Sequence, residues 1–230
     1  MQIANFPTRV IEAGVSDLSV RLNVVQRLED YVDLEALLRD PDPPEPPYWA
    51  HLWTASRVLA RLAADEIDCR GRSVVEVGCG LGFVGIVAAL RGARVTMFDF
   101  FDEAVRFAHA NVALNDCQAS VLRADLNHPP FRGGFDYCLA ADVTYETGLQ
   151  KALARFFALH LTRDGRAWCV ESVRTYDPQF QQSCRMFGLD TRERTVTEID
   201  EGRTVPVRVT EVWRSERRTG SREPGVGRSK

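Results

Sequence analysis

From Tyr48 onward, short runs of consecutive apolar residues alternate with longer segments in which apolar side chains return every three or four positions. The short runs "SVVEV", "ARVTMFD", "QASVLRAD", "FDYCLAAD" and "GRAWCVES" have the length and β-branched content of buried strands. The longer segments "WAHLWTASRVLARLAADE", "FVGIVAALRG", "DEAVRFAHANVALND", "TGLQKALARFFALHL" and "DPQFQQSCRMFG" have helical spacing. Strands separated by helices of this length imply a parallel sheet covered on both faces. The pattern changes at the end, where "LDTRERTVTEID" and "RTVPVRVTEVWR" are adjacent strand-like runs around "EG", which predicts an antiparallel closing hairpin. The expected fold is α/β, doubly wound and Rossmann-like, with a mostly parallel sheet and an antiparallel C-terminal hairpin.

Two flanks depart from this alternation. Residues 1–47 hold two alternating runs, "TRVIEA" and "LSVRLNVV", then "LEDYVDLEALLRD" with helical spacing, and a proline-rich break, "PDPPEPP". Each proline there removes a donor and restricts its predecessor, so the break is extended. Residues 214–230, "RSERRTGSREPGVGRSK", lack apolar periodicity and read as a disordered tail. The expected organisation is an N-terminal extension over 1–47, one domain over 48–213 and the tail.

Composition narrows the class. With 230 residues and 45% hydrophobic content the chain can bury one substantial core. A formal net charge of −3 gives no global attraction to nucleic acid or membrane, and no apolar run approaches the roughly 20 residues of a membrane span. The N-terminus lacks a basic start followed by a long apolar stretch, so the expected compartment is the cytoplasm. Cysteines 69, 79, 117, 138, 169 and 184 are scattered without a C-x-x-C and read as buried free thiols. His51 and His109 have no partner at metal-ligand spacing, so no metal site is expected.

The candidate chemistry begins at "VVEVGCGLGFVGI". Read from Gly80, it contains the G-x-G-x-x-G of a dinucleotide loop; read from Glu76, it is E-x-G-x-G-x-G, the loop that holds S-adenosylmethionine. Charge separates the two readings. A pyrophosphate needs backbone N–H groups and nothing acidic, whereas the donor's ammonium and sulfonium tolerate or favour Glu76. The strand also runs directly into Gly78, which leaves Gly80 two residues late for the first dinucleotide glycine. Gly78, Gly80 and Gly82 are therefore the loop glycines, and Gly85 packs helix on sheet. Asp99, at the end of the next strand, is placed to accept both ribose hydroxyls, and Asp125, one strand further, to accept the adenine amino group. Either acid also reads as a solvated strand-end residue. "FDYCLAADVTYE" puts Asp142 and Tyr145 after the fourth strand, at the same sheet edge.

These residues carry a resemblance. "VVEVGCGLGFVGI", "FDF" and "AADVTYE" resemble the seven-β-strand class I methyltransferases, and within them the chain is similar to methyltransferase family 16, which contains many protein-lysine methyltransferases. "PPYWAHLW" resembles the entry segment of the lysine methyltransferases that act on the electron-transfer flavoprotein β subunit, and of their bacterial relatives. The resemblance covers about Tyr48 to Trp213. It implies a seven-stranded sheet, S-adenosylmethionine as cofactor, a protein acceptor, Asp142 and Tyr145 beside the target amine, and Trp53 near the cofactor. Asp142 would position the amine, and Tyr145 would wall its pocket and contact the cation with its ring. Core packing is the other reading of Trp53. Three rivals stand beside lysine methylation: methylation of a small molecule or another atom, an NAD-dependent oxidoreductase using the Gly80 register, and a binding module without activity.

Overall fold

A computed structural model describes residues 2–32, 46–144, 147–172, 179–200 and 202–215. Most of the helical run after Tyr31, most of the proline-rich break, Tyr145 and the tail from residue 216 lie outside the described residues. The chain opens with strands β1 (Gln2–Ile3), β2 (Phe6–Val15) and β3 (Leu18–Val25), which form their own antiparallel sheet. A 3-10 turn over Tyr48–Ala50 then leads to helix α1 (Thr54–Asp65). The alternating part follows: β4 (Ser73–Val77), α2 (Phe83–Leu90), β5 (Arg94–Asp99), α3 (Asp102–Leu114), β6 (Ala119–Arg123), β7 (Phe135–Ala141), α4 (Thr147–His160), β8 (Leu161–Ser172) and α5 (Gln179–Met186). The hairpin β9 (Leu189–Asp200) and β10 (Arg203–Arg214) closes the fold.

The main sheet has seven strands in the order β6-β5-β4-β7-β8-β10-β9. The first five are mutually parallel, and β10 runs antiparallel to both β8 and β9. Alternation along each strand splits the core into two layers, as a doubly wound sheet requires. Val74, Met97, Leu139 and Val170 face one layer with α1, α2, α3 and the N-terminal sheet. Val75, Val77, Phe98, Cys138 and Cys169 face the other, with Phe156, Phe157 and Phe180 of α4 and α5. All six cysteines are free, and five of them are buried. Among the described residues no helix is long and apolar enough to cross a membrane, and no group of three or more His, Cys, Asp or Glu side chains is placed to hold a metal.

Two boundaries differ from the sequence reading. Helix α1 starts at Thr54, because Trp53 is extended at φ −64 and ψ 149 and its indole Nε1–H donates to Tyr48 O at 2.8 Å, folding the preceding residues into a separate turn. Strand β8 starts at Leu161, pairing with Phe135 before an irregularity restores the register at Tyr137 and Arg166. The two ends of the β4–β7 pair are treated differently. At its start Asp136 Oδ2 accepts from Ser73 N and Oγ at 2.8 and 2.9 Å, and Asp136 N donates back to Ser73 Oγ at 3.0 Å. The opposite end opens into the loops that carry the candidate residues.

Candidate functional site

Strand order reverses at β4, whose neighbours β5 and β7 lead away to opposite sides of the sheet. In open α/β sheets ligands bind beyond the carboxyl ends of the strands at such a point. Here the chain leaves β4 at Val77 and turns through Gly78, Gly80 and Gly82, all at positive φ (62, 49 and 76), before α2 begins at Phe83. Gly80 lies under the segment leading to α1: a Cβ there would stand 2.8 Å from the carbonyl oxygen of Trp49. Gly85, inside α2, packs so tightly that a Cβ would lie 2.7 Å from both Glu76 Oε2 and Met97 Cγ. The turn therefore starts at Gly78, and Gly85 has the packing role.

A cavity opens over this loop. Its lining includes Glu76, Gly78, Gly80, Asp99 and Asp142, the aromatic rings of Tyr48, Trp53, Phe100 and Phe101, and no lysine or arginine among the described residues. Glu76 is buried on β4, and its Oε2 accepts the Gly85 amide at 2.8 Å beneath the first turn of α2. Burial, with Asp99 adding negative charge nearby, pushes its carboxyl up to about 8. Asp99 ends β5 with Oδ2 on Gly80 N at 2.9 Å and Oδ1 on Phe101 N at 3.1 Å. Burial raises its pKa, and these backbone amides oppose the rise. Each carboxylate oxygen keeps acceptor capacity for a further hydroxyl.

Asp142 stands just after β7, across the sheet from Asp99. Its φ is +51, a left-handed conformation that few residues other than glycine, asparagine and aspartate adopt. Its amide donates to Val170 O at 2.9 Å, while its Oδ1 accepts from Ser172 N and Oγ at 2.8 and 3.0 Å. Strand β8 thus holds the turn open toward the cavity. Tyr145, the expected partner of Asp142, lies outside the described residues.

Not every expected residue converges. Trp53 lines the cavity, with its ring centroid 4.6 Å from that of His51 and 6.2 Å from that of Tyr48. Gly82 sits behind the lining at the start of α2. Asp125 stands off it as well: its carboxylate accepts Asn127 N at 2.8 Å and lies 3.3 Å from His128 Nδ1, contacts that hold it below its ordinary pKa. Its neighbours Ala124 and Leu126 line the cavity instead.

One group escaped the sequence reading. Glu171, 1% exposed at the end of β8, accepts the hydroxyl of Thr144, two residues after Asp142. Its Oε2 has no hydrogen-bond partner among the described residues. Burial first, then the charges of Asp142 and Glu193, push it up to about 7 against the opposing Thr144 hydroxyl and Arg208. The available signal was an acid closing the apolar run "AWCVES" at the same sheet edge.

Known proteins resemble this chain in sequence or in fold. The profile of a family described as lysine methyltransferase matches residues 48–182. Protein N-lysine methyltransferase METTL21A of Danio rerio is 37% identical over 105 residues, covering 42% of this chain and 48% of its own. A histidine protein methyltransferase 1 homolog of Dictyostelium discoideum is 29% identical over 140 residues, covering 54% and 42% respectively. The chain spans about half the length of the curated relatives it matches. Among solved structures, the rRNA methyltransferase RsmC of T. thermophilus superposes with a TM-score of 0.64 at 15% identity, over 91% of this chain and 51% of that one. Magnesium protoporphyrin IX methyltransferase of Synechocystis, solved with bound SAM, gives 0.56 at 21% identity over 70% and 78%. At these identities the two structures establish the fold alone.

Proposed function

The chain belongs to the lysine methyltransferase family whose profile its residues 48–182 match, and from that premise we propose that it transfers a methyl group from S-adenosylmethionine to a lysine amine in a protein. In this reading residues 48–213 are the catalytic unit, 1–47 an extension and 214–230 a tail.

One observation carries the reading: Glu76, Asp99 and Asp142 converge on one cavity whose described lining has no lysine or arginine. Such a site suits a cationic donor and a cationic acceptor, and it repels a pyrophosphate. It therefore argues against a dinucleotide in the Gly80 register. When bound, the donor supplies a methyl carbon activated by the sulfonium. Asp99 is placed to accept ribose hydroxyls while fixing the Gly80 amide. Glu76 lies buried beneath the loop as a counter-charge. Asp142 faces the same cavity from the other side of the switch point, where it positions the acceptor amine. A lysine amine titrates near 10.4 and must lose its proton before attack. The nitrogen lone pair then forms the N–C bond as the S–C bond breaks, so alignment of the two atoms is the main work of the site.

The test is direct. The donor should raise the melting temperature by mass action while NAD should not. Labelled methyl from the donor should enter proteins of a cell extract, and after hydrolysis the label should migrate as methyllysine. Asp99→Ala should lose donor binding by at least about a hundredfold, because two ribose hydroxyls and the Gly80 amide lose their acceptor. A thermal shift with NAD alone would overturn the reading; label in methylhistidine would keep the donor and change the acceptor.

A further inference from the structure

The N-terminal sheet supplies none of the described residues lining the cavity, yet it is joined to the glycine loop by one buried side chain. Asn111, on α3 and fully buried, uses every hydrogen-bonding function of its amide. Its Oδ1 accepts from Asn23 N at 2.7 Å and Asn23 Nδ2 at 3.1 Å. Its Nδ2 donates to Asn23 O at 3.3 Å and to Leu81 O at 3.0 Å. One turn later Asn115 repeats the pattern, with Oδ1 on Arg21 N at 2.9 Å and Nδ2 on Arg21 O at 2.7 Å. Four residues of helix advance about 6 Å and two residues of strand about 6.7 Å. The spacings match, so the two side-chain amides pair with the free edge of β3 as another strand would.

Leu81 lies between Gly80 and Gly82, and the peptide joining it to Gly82 is held at both ends: Asn111 takes its carbonyl, and its N–H donates to Cys79 O at 2.7 Å. We infer that the N-terminal hairpin is a working part of the donor site, and that Asn111 is the positioning residue through which β3 fixes the glycine loop. The inference rests on the reading of that loop as the S-adenosylmethionine site. Apolar packing of Val20, Leu22 and Val24 attaches the hairpin to the core. The amides set its position along α3, and through Asn111 that position reaches the peptide plane at Leu81. Coupling between two sites is reciprocal: if the docked hairpin favours the donor-binding loop, donor must stabilise the docked hairpin by the same factor.

The test uses the full chain. Asn115→Ala removes the outer pair of bonds, together with the Asn115 Nδ2 bond to Asn111 O at 2.7 Å, and leaves the Leu81 contact and the buried apolar face in place, while Asn111→Asp removes the donor to Leu81 O and Asn23 O and keeps an acceptor for Asn23. Calorimetry with S-adenosylmethionine should show a Kd raised about fivefold in Asn115→Ala, the lower end of ordinary coupling, and more in Asn111→Asp. Conversely, donor should slow hydrogen exchange of the Arg21 and Asn23 amides of the wild type more than that of the β9–β10 ladder. A role confined to folding stability would move neither the affinity nor this difference. Wild-type affinity in Asn115→Ala, or equal slowing in both strand sets, would overturn the inference. Failure of the wild-type protein to bind donor would overturn the reading of the site itself, and is visible before any variant is compared.

Discussion

Asp142 shows how one residue can combine a backbone constraint with a chemical one. At φ +51 most side chains are strained by about 1–2 kcal/mol, but asparagine tolerates this conformation as aspartate does. Asp142→Asn therefore keeps the turn, and its Oδ1 can still accept from Ser172 N and Oγ. What the variant loses is charge. If Asp142 aligns the acceptor amine, turnover should fall on the order of a hundredfold, while donor affinity stays within about twofold because Glu76 and Asp99 are untouched. Turnover against the identified acceptor beside calorimetric donor binding separates the two effects. Wild-type turnover would remove Asp142 from the mechanism, and lost donor binding would move it to the cofactor side of the site.

At the scale of elements, the β4–β7 pair carries the cavity residues Glu76, Gly78 and Asp142 at one end and the Ser73–Asp136 clasp at the other. Asp136→Ala should remove about 1 kcal/mol, lowering the melting temperature by about 2–4 °C for a chain of this size. Donor affinity and turnover well below the transition should not change, since the clasp lies a whole strand away. A large loss of activity at unchanged stability would mean that register, not local alignment, positions the site. The strand and helix succession was legible because each element declares itself in its own spacing, and so was the placing of Glu76, Asp99 and Asp142 beside one cavity, from the glycine motif and the strand ends. Contacts distant in sequence were not legible. Nothing in "NVV" and "HANVALN" announces that Asn23 meets Asn111 across 88 positions, nor that Glu171 reaches Thr144. The start of α1 falls later than its spacing predicts because the Trp53 indole N–H donates to the Tyr48 carbonyl, a bond that spacing does not reveal. Asp125 stands at a strand end as a ligand residue would, yet its carboxylate turns to Asn127 and His128 outside the cavity lining.

For the whole molecule, these placements bear on stability and its dependence on pH. Glu76 and Glu171 have folded pKa values near 8 and 7, above the ordinary 4.5. For a raised group the folded state holds the proton more tightly than the unfolded chain. The associated stability is therefore complete below about pH 4.5 and is lost as pH rises, over 4.5 to 7 for Glu171 and over 4.5 to 8 for Glu76. The lowered carboxyls Asp17, Asp125 and Asp136 act in a different window, below about pH 4, and solvent screens the more exposed Asp17 and Asp125. The protein without donor should accordingly melt at a lower temperature at pH 8 than at pH 5.5. A cationic donor reverses the Glu76 part, because positive charge beside the carboxylate lowers its pKa and binding then releases a proton. Each unit of that lowering is worth about 1.4 kcal/mol of added affinity once the pH is above the empty-site value. The melting shift produced by S-adenosylmethionine should therefore grow from pH 6 to pH 8 and then level off. In Glu76→Gln, which cannot titrate, it should be nearly constant. Scanning calorimetry of wild type and variant across this range, with and without donor, measures all four curves. A donor shift independent of pH in the wild type, or the same slope in Glu76→Gln, would remove Glu76 as the buried counter-charge to the donor.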